Sequence, residues 1–265
     1  APLARSAGVA IILERNMPIV VILLGVLLSS AGVAAKWHRV SKEEIKLSGP
    51  IGQDSLRDYE SVADSGYTRI TVESAGGVEY PALMIARDIQ RRGAKVFIDG
   101  LCASTCANFL ALAVRAPSVS CRSLLAWHGS GLLTDMQSSD DDWIEAEMPE
   151  TFVSEVKAWK VNARSEVIAF FKHAGIDSSI VDESVRVVLS AGIKPQSEKT
   201  VYSLDPATGF ISSTTTRKGL PLWVPTTKAL KRYGVDTSGF CPEYDQRIKG
   251  NMERLGVDGV VSDGE

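Results

Sequence analysis

The sequence predicts an α/β protein with a mostly parallel sheet, built from repeated βαβ (β-β-α) units. Three observations lead to this class. Short apolar runs rich in β-branched residues alternate with longer segments of helical periodicity between residues 45 and 127. Glycines end several of these segments. Strands that alternate with helices are joined by right-handed crossovers, which make neighbouring strands parallel.

The predicted elements follow one another in a regular order. Strands are expected at residues 45–50, 68–72, 95–98 and 123–127, with helices at residues 55–63, 79–92 and 104–114. Further helices are expected at 142–161, 165–173 and 180–189, then a hairpin or loop at 197–217 and a short strand and helix at 223–235. We expect one domain over residues 37–255 with a helical insertion at about residues 138–195, followed by a disordered acidic tail at 256–265.

Composition limits the classes of function. The 265 residues are 45% hydrophobic and 23% charged, which is enough to bury one full core. The net charge is -3, and lysine and arginine are scattered rather than grouped in a stripe. A nucleic-acid partner is therefore not expected.

Residues 1–36 contain a hydrophobic segment that reads as a signal peptide or membrane anchor. No residue in 18–35 is charged, and at about 1.5 Å per residue this run reaches across the hydrocarbon core of a bilayer. Residues 33–35, Val-Ala-Ala, also satisfy the small-residue rule for signal cleavage, so a cleaved signal and a transmembrane signal anchor both remain open. Either one predicts a periplasmic or inner-membrane-anchored protein whose domain lies outside the cytoplasm.

The four cysteines are Cys102, Cys106, Cys121 and Cys241. Export leads to an oxidising compartment, which favours disulfide bonds. Zinc is the competing interpretation, but Cys-x3-Cys is not a usual zinc spacing and no histidine follows at ligand spacing. We expect Cys121 to pair with Cys106 or Cys102, because in a parallel unit the strand after Cys121 runs beside the turn that carries them. Cys241 would then be free or in an intermolecular bond.

Three short motifs together predict an acyl-transfer site. Ser104 lies at the start of a predicted helix, His128 follows the next strand, and Gly76 and Gly77 follow the preceding strand. Acyl transfer needs these parts, namely a nucleophile, a base and backbone donors for an oxyanion. Alone, the serine fits a helix N-cap, the histidine an interior residue and the glycine pair a tight turn. Their combination at this spacing favours the catalytic interpretation.

With these motifs, residues 45–128 resemble the Clp protease proteolytic subunit and its relatives in the ClpP/crotonase superfamily, particularly exported ClpP-like proteins. The family's Ser-x-Gly-Gly turn is matched by residues 74–77, its Ala-Ser nucleophile by Ala103 and Ser104, and its base by His128, 24 residues further on. Residues 228–235 also resemble the family's late helix. The resemblance implies a ClpP/crotonase-like fold and a homo-oligomer, since family members assemble into rings.

The sequence departs from the family at the triad acid. In the peptidase the acid lies just before the strand that precedes the late helix, whereas residues 220–223 here, Leu-Pro-Leu-Trp, contain no carboxylate. Asp205 is the nearest upstream carboxylate and is the preferred acid, with Asp177, Asp182 and Glu183 as alternatives. A Ser-His dyad without an acid would be slower, because the acid fixes the imidazole tautomer and stabilises the imidazolium.

The sequence therefore predicts a serine hydrolase, in the first place a peptidase that acts on a peptide or protein substrate. Ser104, His128 and Asp205 would be catalytic, and the N–H groups of Gly77 and Thr105 would bind the oxyanion. This chemistry needs no metal or cofactor. A non-catalytic ClpP-like binding or scaffold protein is the main alternative. A crotonase-type acyl-CoA enzyme is a weaker one, because the export segment and the Ser-His pair argue against it.

Overall fold

The computed structural model describes residues 36–63, 66–133, 150–192, 197–205, 210–218 and 221–263. These residues form an α/β fold with a mostly parallel sheet, as the sequence predicts. The apolar run at residues 18–35 lies outside the described residues. In the part that is described, none of the helices combines the length and apolar character that a bilayer crossing requires.

Six strands form the main sheet. They are β1 (Lys36–Arg39), β2 (Glu44–Ser48), β3 (Arg69–Ser74), β4 (Lys95–Ala103), β5 (Ser118–Val119) and β6 (Leu124–Ala126). β1 pairs with β2 antiparallel, and β2, β3 and β4 lie side by side in parallel. β4 then pairs in parallel with β5 near its beginning and with β6 at its end. The residues that follow β4 and β6 therefore meet at one edge of the sheet.

The described helices are α1 (Ser55–Val62), α2 (Glu79–Arg92), α3 (Glu150–Ala174), α4 (Ser179–Ser190), α5 (Thr227–Arg232) and α6 (Tyr244–Leu255). α2 has the predicted bounds because its signals are local. Leu83, Ala86 and Ile89 recur at helical spacing and are fully buried. Gly93, with a φ of 64°, ends the helix in the left-handed conformation and donates its N–H to the carbonyls of the last turn.

The helical region after residue 149 packs against α2. It contains one continuous helix, α3, where the sequence predicts two helices separated at residues 162–164. The Gln90 side chain donates to the Phe170 carbonyl at 3.3 Å, and Arg87 pairs with Glu166 at 3.0 Å. The Phe170 ring also contacts Phe109, edge to face, with ring centroids 5.8 Å apart. The residues that follow β4 are thus covered by α3.

The C-terminal part contains two further pairs of strands. β7 (Ser197–Asp205) and β8 (Phe210–Lys218) form an antiparallel hairpin, which decides between the predicted hairpin and loop. β9 (Leu222–Pro225) pairs in parallel with β10 (Gly259–Ser262). The predicted disordered tail is therefore wrong for residues 259–262. Its glycines and acidic residues indicate disorder, but Val260 and Val261 pair with β9, a partner far away in the sequence.

The two disulfide bonds correct the predicted cysteine pairing. Cys102 is bonded to Cys106, with Cα atoms 5.2 Å apart, and Cys121 is bonded to Cys241, with Cα atoms 5.0 Å apart. Cys241 is therefore neither free nor available for an intermolecular bond. The reason is a long-range contact: the Cys241 N–H donates to the Val119 carbonyl at 2.9 Å, so the C-terminal segment extends the sheet beside β5.

A buried polar cluster joins α1 to α2. The Tyr59 hydroxyl donates to the Asp88 carboxylate at 2.5 Å and also contacts the Tyr67 hydroxyl. Arg92 Nε donates to the same carboxylate at 2.6 Å, and Arg91 forms a further ion pair with it. Burial by itself raises the pKa of Asp88. The hydrogen bonds from Tyr59 and Arg92 and the charges of the two arginines outweigh burial, so the pKa of this carboxyl lies below its usual value.

Asp88→Asn should make the stability of the protein less sensitive to acid. Because its folded pKa is depressed, ionised Asp88 stabilises the fold above the unfolded carboxyl pKa of about 3.9, and this stabilisation is lost as the pH falls through the lower folded value. The variant should be about 2 kcal/mol less stable at neutral pH and should lose less stability below about pH 4. Urea unfolding across this pH range measures both effects. An acid-induced loss of the same size in both proteins would contradict the prediction.

Candidate active site

Ser104 lies on a sharp turn directly after β4. Its φ is 54°, and among the described residues it is the one non-glycine residue with a positive value. The Ser104 N–H donates to the Ala126 carbonyl at 2.9 Å, and its carbonyl accepts from the Asn108 N–H at 2.8 Å. A left-handed conformation costs about 1–2 kcal/mol for a residue with a Cβ, and such residues cluster at functional sites. The turn therefore has the strain that a dedicated nucleophile position often carries.

The helix predicted over residues 104–114 is not a regular α-helix. Cys106–Leu110 form a π-helical turn and Ala111–Ala113 a 3-10 turn, and all of these residues are buried. The cap position belongs to Thr105, whose hydroxyl donates to the Gly77 carbonyl at 2.8 Å instead of capping the helix. Among the described residues no side-chain capping hydrogen bond supports the simple interpretation of Ser104 as a helix N-cap. The Cys102–Cys106 disulfide spans the serine and closes a short covalent ring around the turn.

The glycine turn, residues 75–77 after β3, lies directly against the serine turn, residues 103–105. A Cβ added to Gly76 would lie 2.8 Å from the Ser104 Cβ and 3.0 Å from the Thr105 nitrogen. Gly76 and Gly77 have φ values of 95° and 144°, which a residue with a side chain rarely adopts. The Ile51 N–H donates to the Gly76 carbonyl at 2.8 Å and holds the turn from the other side. Close approach and backbone conformation thus both require glycine here.

The two backbone N–H groups predicted to bind an oxyanion belong to this contact. Within the described part of the chain, neither the Gly77 N–H nor the Thr105 N–H makes a backbone hydrogen bond outside its own element. The hydroxyl of Thr105 is used by the Gly77 carbonyl, so the two residues are joined without occupying either amide. Amide N–H groups near a nucleophile can stabilise a tetrahedral oxyanion, and the assignment of these two to that role stays a prediction.

His128 follows the end of β6, the strand that lies beside the end of β4. Ala103 and Ala126 are register partners in these parallel strands, so the residues after each of them occupy neighbouring positions at the sheet edge. His128 is partly exposed. The next residue, Gly129, has a φ of 100°, and its carbonyl accepts from the Asn108 side-chain amide at 3.0 Å. Asn108 thus connects the segment that carries Ser104 to the histidine loop, residues 128–133.

Two residues of this site were not identified from the sequence. Asn108 lies one turn after Ser104 and is fully buried, and Glu79 accepts hydrogen bonds from Gly131 and Leu132 in the histidine loop. The sequence does contain a signal for Glu79, because this residue begins the helix predicted over residues 79–92 and comes two residues after the glycine pair. Asn108 is a polar residue in an otherwise apolar segment, which also signals a specific hydrogen bond.

The acid of the predicted triad stays a prediction. Asp205 is the last residue of β7, and its side chain lies outside what the structure describes. The Asp177 carboxylate accepts an N–H at the start of α4 at 2.9 Å, and Glu183 pairs with an arginine one turn further on at 2.6 Å. Asp182 lies in the first turn of α4. Among the described residues, none forms a hydrogen bond with the buried Nδ1 of His128, the atom that a triad acid would contact.

One group in the described residues has the composition of a metal site, namely Cys121, Cys241 and Glu243. Both sulfur atoms are joined in a disulfide bond, so they offer no thiolate to a metal ion. The arrangement is a covalent link between β5 and the C-terminal segment.

Comparisons with known proteins complete the description. No family model matches the chain, and no curated protein matches it. Among the solved structures, the chain is similar to one described as a peptidase from Plasmodium falciparum, with 16% sequence identity and a TM-score of 0.33, over 52% of this chain and 81% of that chain. The resemblance to the ClpP/crotonase superfamily therefore rests on the motifs and stays a prediction.

Proposed function

We propose that this protein is a serine hydrolase, in the first place a peptidase, in which Ser104 is the nucleophile and His128 the base. The observation that supports the proposal is the close contact of Gly76 with the strained turn at Ser104, which brings the glycine pair next to the segment that carries Ser104 and Thr105. The resemblance to the Clp protease subunit supports a peptide or protein substrate. Two disulfide bonds favour an oxidising compartment outside the cytoplasm.

The proposed reaction has two steps. Ser104 Oγ attacks the scissile carbonyl carbon while the imidazole of His128 accepts its proton. The amides of Gly77 and Thr105 bind the oxyanion, at about 3 kcal/mol per donor. His128 then gives the proton to the leaving amine, and an acyl-enzyme remains. Water attacks this ester with His128 again as base, which releases the carboxylic acid and restores the serine hydroxyl. Asp205 is the proposed acid that would orient the imidazole.

A fluorophosphonate probe tests the proposal, because only an activated serine reacts with it. The folded protein should be labelled, and peptide mapping should find the probe on Ser104. Ser104→Ala and Ser104→Gly should each lower labelling by at least about 1000-fold. Ser104→Gly is the better matched variant, since glycine accepts a φ of 54° without strain and the loss of labelling cannot then be assigned to misfolding.

The control is Ser61→Ala, which removes an exposed serine hydroxyl on α1 and should leave labelling unchanged. Absence of labelling in the native protein, or equal labelling after Ser104→Gly, would contradict the hydrolase proposal. Either result would support the alternative of a ClpP-like binding or scaffold protein that kept the fold without the chemistry.

A further inference from the structure

The loop that follows His128 is held at two points by other parts of the candidate site. Asn108 Nδ2 donates to the Gly129 carbonyl at 3.0 Å. Further along the loop, the Gly131 N–H donates to Glu79 Oε1 at 3.1 Å, and the Leu132 N–H donates to Glu79 Oε2 at 3.2 Å. Both carboxylate oxygens of Glu79 are therefore used on consecutive backbone groups of the same loop.

Glu79 has a backbone that is fixed to the glycine turn. It is the first residue of α2 and comes two residues after Gly77. A carboxylate in the first turn of a helix is favoured by the helix dipole, and hydrogen bonds to an ionised acceptor are stronger than those between neutral groups. Glu79 consequently connects the proposed oxyanion side of the site to the loop that carries the proposed base.

The histidine loop needs such support because its own backbone gives little stiffness. Gly129 has a φ of 100°, and Gly131 lies only two residues further on. Leu132 and Leu133 are nearly buried, so the loop packs down after the two hydrogen bonds to Glu79. The backbone around His128 is thus held by β6 and the two Trp127–Trp223 hydrogen bonds before it, and by the Asn108 and Glu79 contacts after it.

We propose that Glu79 is a positioning residue that holds His128 in place to deprotonate Ser104; this inference rests on the function proposed above. Glu79 acts through the loop backbone and does not touch the substrate. A displacement of about 1 Å at a reacting group lowers a rate by up to about 100-fold. Loss of the carboxylate should therefore lower the rate at which Ser104 reacts, while the affinity of the site for the reacting molecule stays unchanged.

Glu79→Gln tests the proposal with the smallest change. Glutamine keeps one acceptor oxygen and replaces the other by an NH2 group, which cannot accept the second loop N–H. With the fluorophosphonate probe, the maximal rate of Ser104 labelling should fall about 10-fold, while the half-saturating probe concentration stays unchanged. Glu79→Ala loses both acceptors and should be slower than Glu79→Gln. Glu60→Gln, the same change on the exposed face of α1, is the matched control and should label like the parent protein.

Amide hydrogen exchange provides a second readout that needs no activity. Gly131 and Leu132 should exchange about 10-fold faster in Glu79→Gln than in the parent protein, because their N–H groups lose a charged acceptor. Glu60→Gln should leave both rates unchanged. Unchanged exchange at Gly131 and Leu132 in Glu79→Gln would overturn the contact itself.

The outcomes separate this inference from the proposed function. Labelling of Ser104 at equal rates in the parent protein and in Glu79→Gln would overturn the positioning role and leave the hydrolase proposal standing. An unlabelled parent protein would overturn both, and faster exchange in Glu79→Gln would then show that Glu79 serves the loop only structurally. A higher half-saturating probe concentration in Glu79→Gln, at an unchanged maximal rate, would assign Glu79 to binding rather than to positioning the base.

Discussion

Gly77→Ala should destabilise the protein by about 4 kcal/mol or prevent folding. A Cβ at this position would lie 2.0 Å from the Ile51 carbonyl oxygen and 2.9 Å from its carbonyl carbon, and φ is 144°. Both neighbours are backbone atoms, so no side chain can move aside. The Val78 N–H donates to that same Ile51 carbonyl at 2.9 Å, so any shift also breaks the bridge that holds the glycine turn.

Gly93→Ala is the matched control for this substitution. Gly93 also has a positive φ, 64°, but no atom lies within 4 Å of the added Cβ. Gly93→Ala should therefore lower the free energy of unfolding only by the conformational cost of about 1–2 kcal/mol. Urea unfolding of both variants measures the difference. Equal destabilisation by Gly77→Ala and Gly93→Ala would show that the contact between the glycine turn and Ile51 is wrong.

Replacement of both Cys121 and Cys241 by alanine should also destabilise the protein strongly. The bond joins residues separated by 120 positions, and in the chain-entropy treatment a loop of this length contributes about 5 kcal/mol. Small domains are typically stable by about 5–15 kcal/mol, so the variant should be close to unfolding at ordinary temperature. Thermal and urea unfolding under oxidising conditions check this result.

The Cys102–Cys106 bond supplies the internal comparison. Its sequence separation is 4, for which the same treatment gives about 2 kcal/mol. The double alanine variant at Cys102 and Cys106 should therefore lose less stability than the variant at Cys121 and Cys241. Because this ring spans Ser104, its removal should affect fluorophosphonate labelling more than stability. The opposite order of stabilities, or recovery of a Cys121–Cys106 peptide in non-reducing mapping, would contradict the observed pairing.

The sequence by itself determined the class of fold and the spacing of the candidate site. α2 has the predicted bounds from residue 79 to 92, because apolar periodicity and a terminal glycine act within one or two turns of the chain. The order of strands and helices from residue 45 to residue 103 was equally local, and the parallel pairing of β2, β3 and β4 followed from the crossovers, whereas β1 and β5 were not predicted. The sequence correctly predicted that Gly76, Ser104 and His128 each follow the end of a strand and that these strands are parallel neighbours.

Only the tertiary structure decided the contacts between distant residues. The pairing of Cys121 with Cys241 and the addition of β10 to β9 depend on where the C-terminal segment lies, which no local pattern contains. The left-handed conformation of Ser104, the π-helical turn after it and the close approach of Gly76 likewise appear only in the folded chain. The Glu79 contact with the histidine loop also joins segments that are far apart in the sequence. Hydrogen bonds and packing between segments form only when the whole chain has folded, so their partners cannot be determined from periodicity or from local propensity.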